Sequence, residues 1–155
     1  MTIRKAKSKD IEMISKLLYE VHDLHASNRE DIFKKGKKKY QDEELVAIID
    51  NPNTPVYVAE EKNQVVGYIF CIYQEISNHQ SLQNQKTLYI DDLCVDCNYR
   101  GKHIGTSLYN YAKMIGKANG CTQITLNVWN FNAAAMKFYE KLGLTPLKVL
   151  MEEKL

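Results

Sequence analysis

The stretch Leu88–Gly105 constrains this chain more than any other. An apolar run carrying two adjacent carboxylates, Asp91 and Asp92, leads through a short polar turn into Arg100-Gly101-Lys102-His103-Ile104-Gly105. Behind that basic loop, Ile104, Leu108, Tyr111, Ala112 and Ile115 recur at helical spacing, so an amphipathic helix begins where the loop ends. A strand that feeds a glycine-containing loop at a helix N-terminus aims backbone N–H groups at phosphate. Glycine serves where backbone approaches a ligand closely or takes positive φ. His103 carries a Cβ, so an ordinary right-handed backbone is expected for it.

The rest of the chain reads as elements around this unit. Thr2–Lys7 is a short edge strand. Ser8 is a candidate N-cap for a helix of about four turns from Lys9 to near His25, whose apolar face is Ile11, Ile14, Leu17, Leu18, Val21 and Leu24. Residues 26–41 lack a clean period and read as a long loop, of the kind that often serves function. The lysine run at 34–39 in it reads as a solvated loop rather than an anion site. Asp42-Glu43-Glu44 opens a shorter helix that stops at Asn51-Pro52-Asn53. Residues 55–60 and 65–76 form a hairpin, 86–95 a third central strand, and 121–128 another. A helix capped by Asn132 and ended by Gly143 follows, then a last strand over 148–154. The order predicts an α/β mixed sheet, mostly antiparallel, with a right-handed parallel crossover through the 103–117 helix and helices on both faces. Residues 1–155 suit one domain. The final strand can pair or swap between subunits, which allows a homodimer.

Composition removes several classes. A net charge of +2 does not argue for nucleic acid, and no apolar run approaches the ~18 residues of a membrane span. The first residues lack a signal-peptide core, so a cytoplasmic location is expected, with four reduced cysteines. Cys94 and Cys97 have C-x-x-C spacing without a second pair, so no metal is expected. No G-x-x-x-x-G-K-[ST] pattern supports a nucleotide-binding protein.

Two motifs then give a family. The loop Arg100-Gly101-Lys102-His103-Ile104-Gly105 resembles the pyrophosphate loop of the GCN5-related N-acetyltransferases, with His103 at the position of the central glycine. Asn132, Ala135, Tyr139 and Gly143 match that family's later Asn, Ala, Tyr, Gly pattern. The resemblance covers nearly the whole chain in element order and is strongest over 88–144. It implies the GNAT acyl-CoA N-acyltransferase fold, acetyl-CoA as cosubstrate without a metal, and a primary amine of a small molecule or peptide as acceptor.

The family pattern assigns roles residue by residue. Main-chain groups of Leu93, Cys94 and Val95 flank the pantetheine arm. The loop from Arg100 through Gly101, Lys102, His103, Ile104 and Gly105 to Thr106 faces the pyrophosphate. Arg100 either pairs with a phosphate or braces the loop, for instance against Asp96, and Lys102 points to solvent. Asn132 is a helix cap and a pantetheine contact, two tasks that one side chain cannot fully share. Tyr139 protonates the leaving thiolate, although its spacing also suits a core tyrosine.

The acceptor amine must lose a proton, because amines are mostly protonated at pH 7. Asp91 or Asp92 is the base, with a lean to Asp91, which aligns with an acidic residue in polyamine acetyltransferases. On a regular strand only one of the pair faces the acceptor cleft, unless a bulge re-aims both. His22 and His25 share a helix face where this family builds its acceptor cleft; a plain surface role is the competing reading. Direct transfer in a ternary complex is favoured over a cysteine intermediate, since no histidine is placed beside Cys94. The alternative from another class is a non-catalytic acyl-CoA-binding or regulatory module of the same fold.

Overall fold

A computed structural model describes residues 1–155. The elements run β1 (Thr2–Lys5), α1 (Ile11–Asn28), α2 (Asp42–Asp50), β2 (Val56–Glu61), β3 (Gln64–Ile76), β4 (Gln85–Val95), α3 (Ile104–Ala118), β5 (Gln123–Leu126) and α4 (Ala133–Lys141). The five strands form one sheet in the order β1-β2-β3-β4-β5. The first three pairings are antiparallel, and β4 pairs with β5 in parallel through the α3 crossover. No helix is long and apolar enough to cross a membrane.

Each face of the sheet has its own core. Ile14, Leu17 and Leu18 of α1 and Leu45 and Ile49 of α2 pack on Val56, Val58, Tyr68, Phe70 and Cys94. On the opposite face, Ile104, Leu108, Tyr109 and Ala112 of α3 pack on Tyr57, Ala59, Ile69, Cys71, Leu88 and Ile90. The alternation along β3 divides its residues between the two cores, as a central strand requires. Gly67 permits this close layering: a Cβ there would lie 2.9 Å from the Cys94 carbonyl and 3.3 Å from a Leu108 methyl.

Three features position the site. First, β4 bulges. Phe70 pairs with Asp92 and Cys71 with Ile90, which leaves Asp91 as the extra residue. Second, β4 and β5 separate. Their pairing ends at Ile90–Leu126, while β4 runs on to Val95, so the 91–95 edge facing β5 has no partner strand. Third, the loop after β4 turns through left-handed backbone at Gly101 and His103 before α3 begins.

Some expectations are corrected here. Residues 148–154 form no strand; the whole 145–155 segment is irregular and exposed. Its backbone makes no hydrogen bond to any strand of the sheet. Ser8 is no cap, because a short 3-10 turn at Ser8–Asp10 precedes α1. Asp10 occupies the position instead, accepting from the Lys7 N–H at 2.8 Å and bound by the Arg4 guanidinium at 2.7 and 2.9 Å. The lysine run is not uniformly solvated either. Lys38 is buried and donates to Ser15 Oγ at 2.7 Å and to Asp42, because the 29–41 loop folds back over α1.

Candidate functional site

The loop at the start of α3 presents a row of unpaired backbone donors, an arrangement that can receive an anion. The N–H groups of residues 101–106 have no protein acceptor; the first to find one is Ser107, bonded to the His103 carbonyl at 3.0 Å. Six successive free donors at a helix N-terminus concentrate partial positive charge. His103 takes φ +59°, ψ 18°, which corrects the right-handed expectation. The position demands positive φ, and histidine is among the non-glycine residues enriched there. The turn therefore keeps the shape a glycine would give it, at a cost of about 1 kcal/mol. Gly105 has a separate reason: a Cβ would sit 3.3 Å from the Phe138 ring of α4. Ile104 is buried in the α3 core and anchors the helix start.

The basic side chains of the loop leave its amides open. Arg100 is exposed and its Nε donates to the Val95 carbonyl at 3.4 Å, so it braces the loop. It does not pair with Asp96, which caps the turn through the Asn98 N–H at 2.8 Å. Lys102 is exposed, with its ammonium 4.8 Å from the centre of the Tyr99 ring. Thr106 is half-buried on the first turn of α3.

The bulge in β4 turns both carboxylates toward the α1–α2 side. Asp91 Oδ2 accepts from Tyr40 Oη at 2.6 Å, and Asp92 Oδ2 accepts from Tyr68 Oη at 3.0 Å. Both tyrosine rings pack on Phe70, at 5.7 and 5.0 Å between centroids, which places the two acids in one layer. Their environments then diverge. Asp91 also holds the Lys39 ammonium, 2.8 Å from Oδ1 and 3.0 Å from its own carbonyl oxygen. Asp92 has no cation in contact. Desolvation pushes it up to about 6, against the opposing pull of Lys39 and Tyr68.

Tyr139 projects from α4 into the α3 core with Phe138 beside it, rings 5.0 Å apart. Its hydroxyl makes no protein hydrogen bond. Desolvation, then the charge on Asp92, raises its pKa, so it is a phenol at neutral pH. Asn132 caps α4, its Oδ1 accepting from the Ala135 N–H at 3.1 Å. Its Nδ2 keeps two free donors.

Leu93 and Val95 pack toward α3, whereas Cys94 points the other way, 3.8 Å from the Leu17 carbonyl. Burial pushes the Cys94 thiol up to about 12, and no base adjoins it. It is an inert core thiol.

His22 and His25 are half-buried and belong to an aromatic wall that sequence reasoning missed. Phe33 lies 5.6 Å from His22, 5.2 Å from His25 and 5.2 Å from Trp129. Phe131 stacks on Trp129 at 5.9 Å and meets His25 at 6.0 Å. Burial, then His22 and Lys39, lowers the His25 pKa and keeps that ring neutral. The one signal in the sequence was the lone tryptophan beside Phe131, just ahead of Asn132. Its partner Phe33 comes from a loop that has no period to read.

Known proteins resemble this chain in sequence and in fold. Residues 18–144 match the family described as Acetyltransferase (GNAT) family. The chain is 26% identical over 149 residues to an uncharacterized N-acetyltransferase of Methanocaldococcus jannaschii, covering 96% of this chain and 62% of that protein. It therefore spans about six-tenths of that relative's length. It is 27% identical over 153 residues to a thialysine N-epsilon-acetyltransferase of Mus musculus, covering 91% of this chain and 82% of that one. Among solved structures, a variant of the BH1408 protein from Bacillus halodurans matches with a TM-score of 0.96 at 32% identity, over 100% of this chain and 99% of that chain.

Proposed function

Since the chain belongs to the GNAT acetyltransferase family, we propose that it transfers an acetyl group from acetyl-CoA to the primary amine of a cationic small molecule or peptide. The observation that carries this reading is the unpaired β4 edge at 91–95, lying between the bulge with its two carboxylates and the loop with its six free N–H groups. The edge offers main-chain donors and acceptors to an extended amide-bearing arm, which adds like a strand. The loop at its end offers charge complementarity to a pyrophosphate.

Acetyl-CoA supplies an activated thioester carbonyl and a thiol leaving group. The remaining tasks fall to this chain. A main-chain N–H near the bulge polarises the carbonyl, as in an oxyanion hole. Asp91 holds the ammonium of the acceptor. The Lys39 ammonium stands in for it, since it already satisfies Asp91 in the way a substrate cation would. Asp92 takes the proton that the amine must lose; a carboxylate titrating near 6 and free of a paired cation suits that task better than Asp91. As the new C–N bond forms and the C–S bond breaks, Tyr139 gives its proton to the departing sulfur. Cys94 has no part, which supports direct transfer over a covalent enzyme intermediate.

The wall of His22, His25, Phe33, Trp129 and Phe131 is a low-polarity flank for the acceptor's carbon skeleton, and its ring faces attract a cation. The mouse relative's name indicates an amino-acid-sized amine, thialysine. A compact cationic amine fits the same combination of ring faces and carboxylates. The four free cysteines suit a reducing cytoplasm, and residues 1–155 act as one domain.

Calorimetric titration with acetyl-CoA, followed by thiol release across polyamines, aminoglycosides, amino acids and peptide N-termini, tests the reading. Binding with turnover of a cationic amine is expected. No binding at millimolar concentration overturns it, and binding without turnover of any amine would favour the non-catalytic module.

A further inference from the structure

The run at 34–39 holds five lysines, and the fold treats them differently. Lys35 pairs with Glu30 at 2.6 Å at the surface, its side chain 71% exposed. Lys38 turns inward to Ser15 and Asp42. Lys39 reaches across to β4, where its Nζ lies 2.8 Å from Asp91 Oδ1 and donates to the Asp91 carbonyl at 3.0 Å. Its neighbours hold this placement. Lys38 ties the chain to α1 and α2 on one side, and Tyr40 Oη donates to the same Asp91 at 2.6 Å on the other. Backbone fastened before and after Lys39 thus delivers it to the bulge, while its own side chain stays 42% exposed.

On the function proposed above, this is the acceptor position. Asp91 is in direct contact with the ammonium. The same charge acts on the Asp92 carboxyl and on the His25 ring of the aromatic wall, so it sits among all three. The unpaired 91–95 edge begins at the residue that Lys39 touches. An acetyl thioester lying along that edge has the base Asp92 and the acid Tyr139 close by. A primary amine tethered at this point needs no diffusional encounter and has the rate advantage of an intramolecular reactant. Its flexible four-carbon stem lets the nitrogen move between the two carboxylates.

We infer that Lys39 is itself an acceptor: given acetyl-CoA and no competing amine, the chain acetylates its own Lys39 Nζ. The inference rests on the function proposed above. Asp92 takes one proton from the ammonium and passes it to solvent. The nitrogen lone pair attacks the thioester carbonyl carbon, so that the N–C bond forms and the C–S bond breaks. Tyr139 gives its proton to the departing sulfur, and a second nitrogen-bound proton returns to Tyr139 through solvent. The products are an amide on Lys39, the free coenzyme thiol and one released proton. Acetyl-Lys39 is uncharged, so it no longer holds Asp91 as an ion pair, and the carboxylate is left open to the ammonium of another acceptor.

The test incubates the full chain with acetyl-CoA and no other amine, then reads intact mass and maps the peptides. One acetyl group added to the 17.9 kDa chain is expected, at Lys39, with a rate per chain that does not change with protein concentration. Asp92→Asn is expected to slow the reaction by about 10²–10⁴-fold, as the loss of a base does. Lys39→Arg, which keeps the charge, is expected to leave the chain unmodified. Far-UV circular dichroism matching the wild type checks that each variant is folded. Acetyl groups spread over the lysines according to exposure, with Lys35 ahead of Lys39, would be uncatalysed chemistry and would overturn the inference. So would a rate proportional to protein concentration, or an Asp92→Asn chain acetylated at Lys39 as fast as the wild type. A chain that turns over an added cationic amine but leaves Lys39 bare overturns this inference and leaves the proposed function standing. A chain that does not bind acetyl-CoA in the calorimetric titration overturns both.

Discussion

The two parts of this molecule are held by different means. The part from β1 through α3 contains every buried residue, and most of its buried side chains form a core on each face of the sheet. The part from β5 through α4 to residue 155 contains none. The proposed chemistry lies on the seam. Asp92 comes from the packed part, on a central strand; Tyr139 comes from the open part, on a helix that only one side supports. Packing fixes the first of these groups. The second depends on a handful of contacts with α3, and on whatever fills the split and covers the edge. Placing half of a site on a weakly covered element lets ligand binding set the final geometry.

The sharpest way to break this contrast is kinetic. Asp92→Asn and Tyr139→Phe should each lower turnover by about 10²–10⁴-fold, the range for a lost acid or base. Acetyl-CoA affinity by calorimetry should stay near wild type. If Tyr139→Phe weakens binding and turnover equally, the tyrosine is structural. In the wild type, kcat/KM should rise with pH through about 6, as Asp92 loses its proton and becomes a base. That limb should be missing in Asp92→Asn.

Stability should divide along the same line. Leu17→Ala, in the α1 core, should cost 2–5 kcal/mol in urea unfolding, whereas Leu142→Ala, at the end of α4, should cost about 1 kcal/mol or less. Equal costs would mean that the open part is packed as firmly as the other.

Asp92 also links function to stability with the opposite pH sense. Its carboxyl titrates at about 6 when folded, against 3.8 for the free group, so the folded chain binds that proton more tightly. The contribution is full below pH 4 and is lost as pH rises through about 6. Two pH units correspond to about 3 kcal/mol. Asp92→Asn should therefore stabilise the protein at pH 7.5 by up to about that much, measured as a higher denaturant midpoint. The smallest effect belongs to the loop: His103→Gly should relieve left-handed strain and gain about 1 kcal/mol. A loss would show that the imidazole makes a contact worth more than the strain.

Local chemistry made much of this legible in the sequence. The α3 stripe, the Asn132 cap, the Gly143 stop and the three central strand runs are each fixed within a few residues, and each appears close to its expected bounds; of the run expected at 121–128 only Gln123–Leu126 is strand. The anion loop was legible for the same reason, since a strand, a glycine turn and a helix start are contiguous. The aromatic wall was not, because its members come from α1, the 29–41 loop and the segment after β5, joined by no common period. Nor was Lys38, whose burial depends on that loop folding back on Ser15.

By itself, then, the sequence determined the order of elements from β1 through α4 and the family pattern, because spacing along the chain carries both. Tertiary structure alone decided three further things. One register shift at Asp91 turned two neighbouring carboxylates to the same side and gave them different partners. The required shape of the loop forced His103 into a backbone that a side chain would avoid. And the sheet ended at β5, with the strand-like 148–154 pattern irregular and unpaired: a strand needs a neighbour, and spacing along the chain does not say whether one is met.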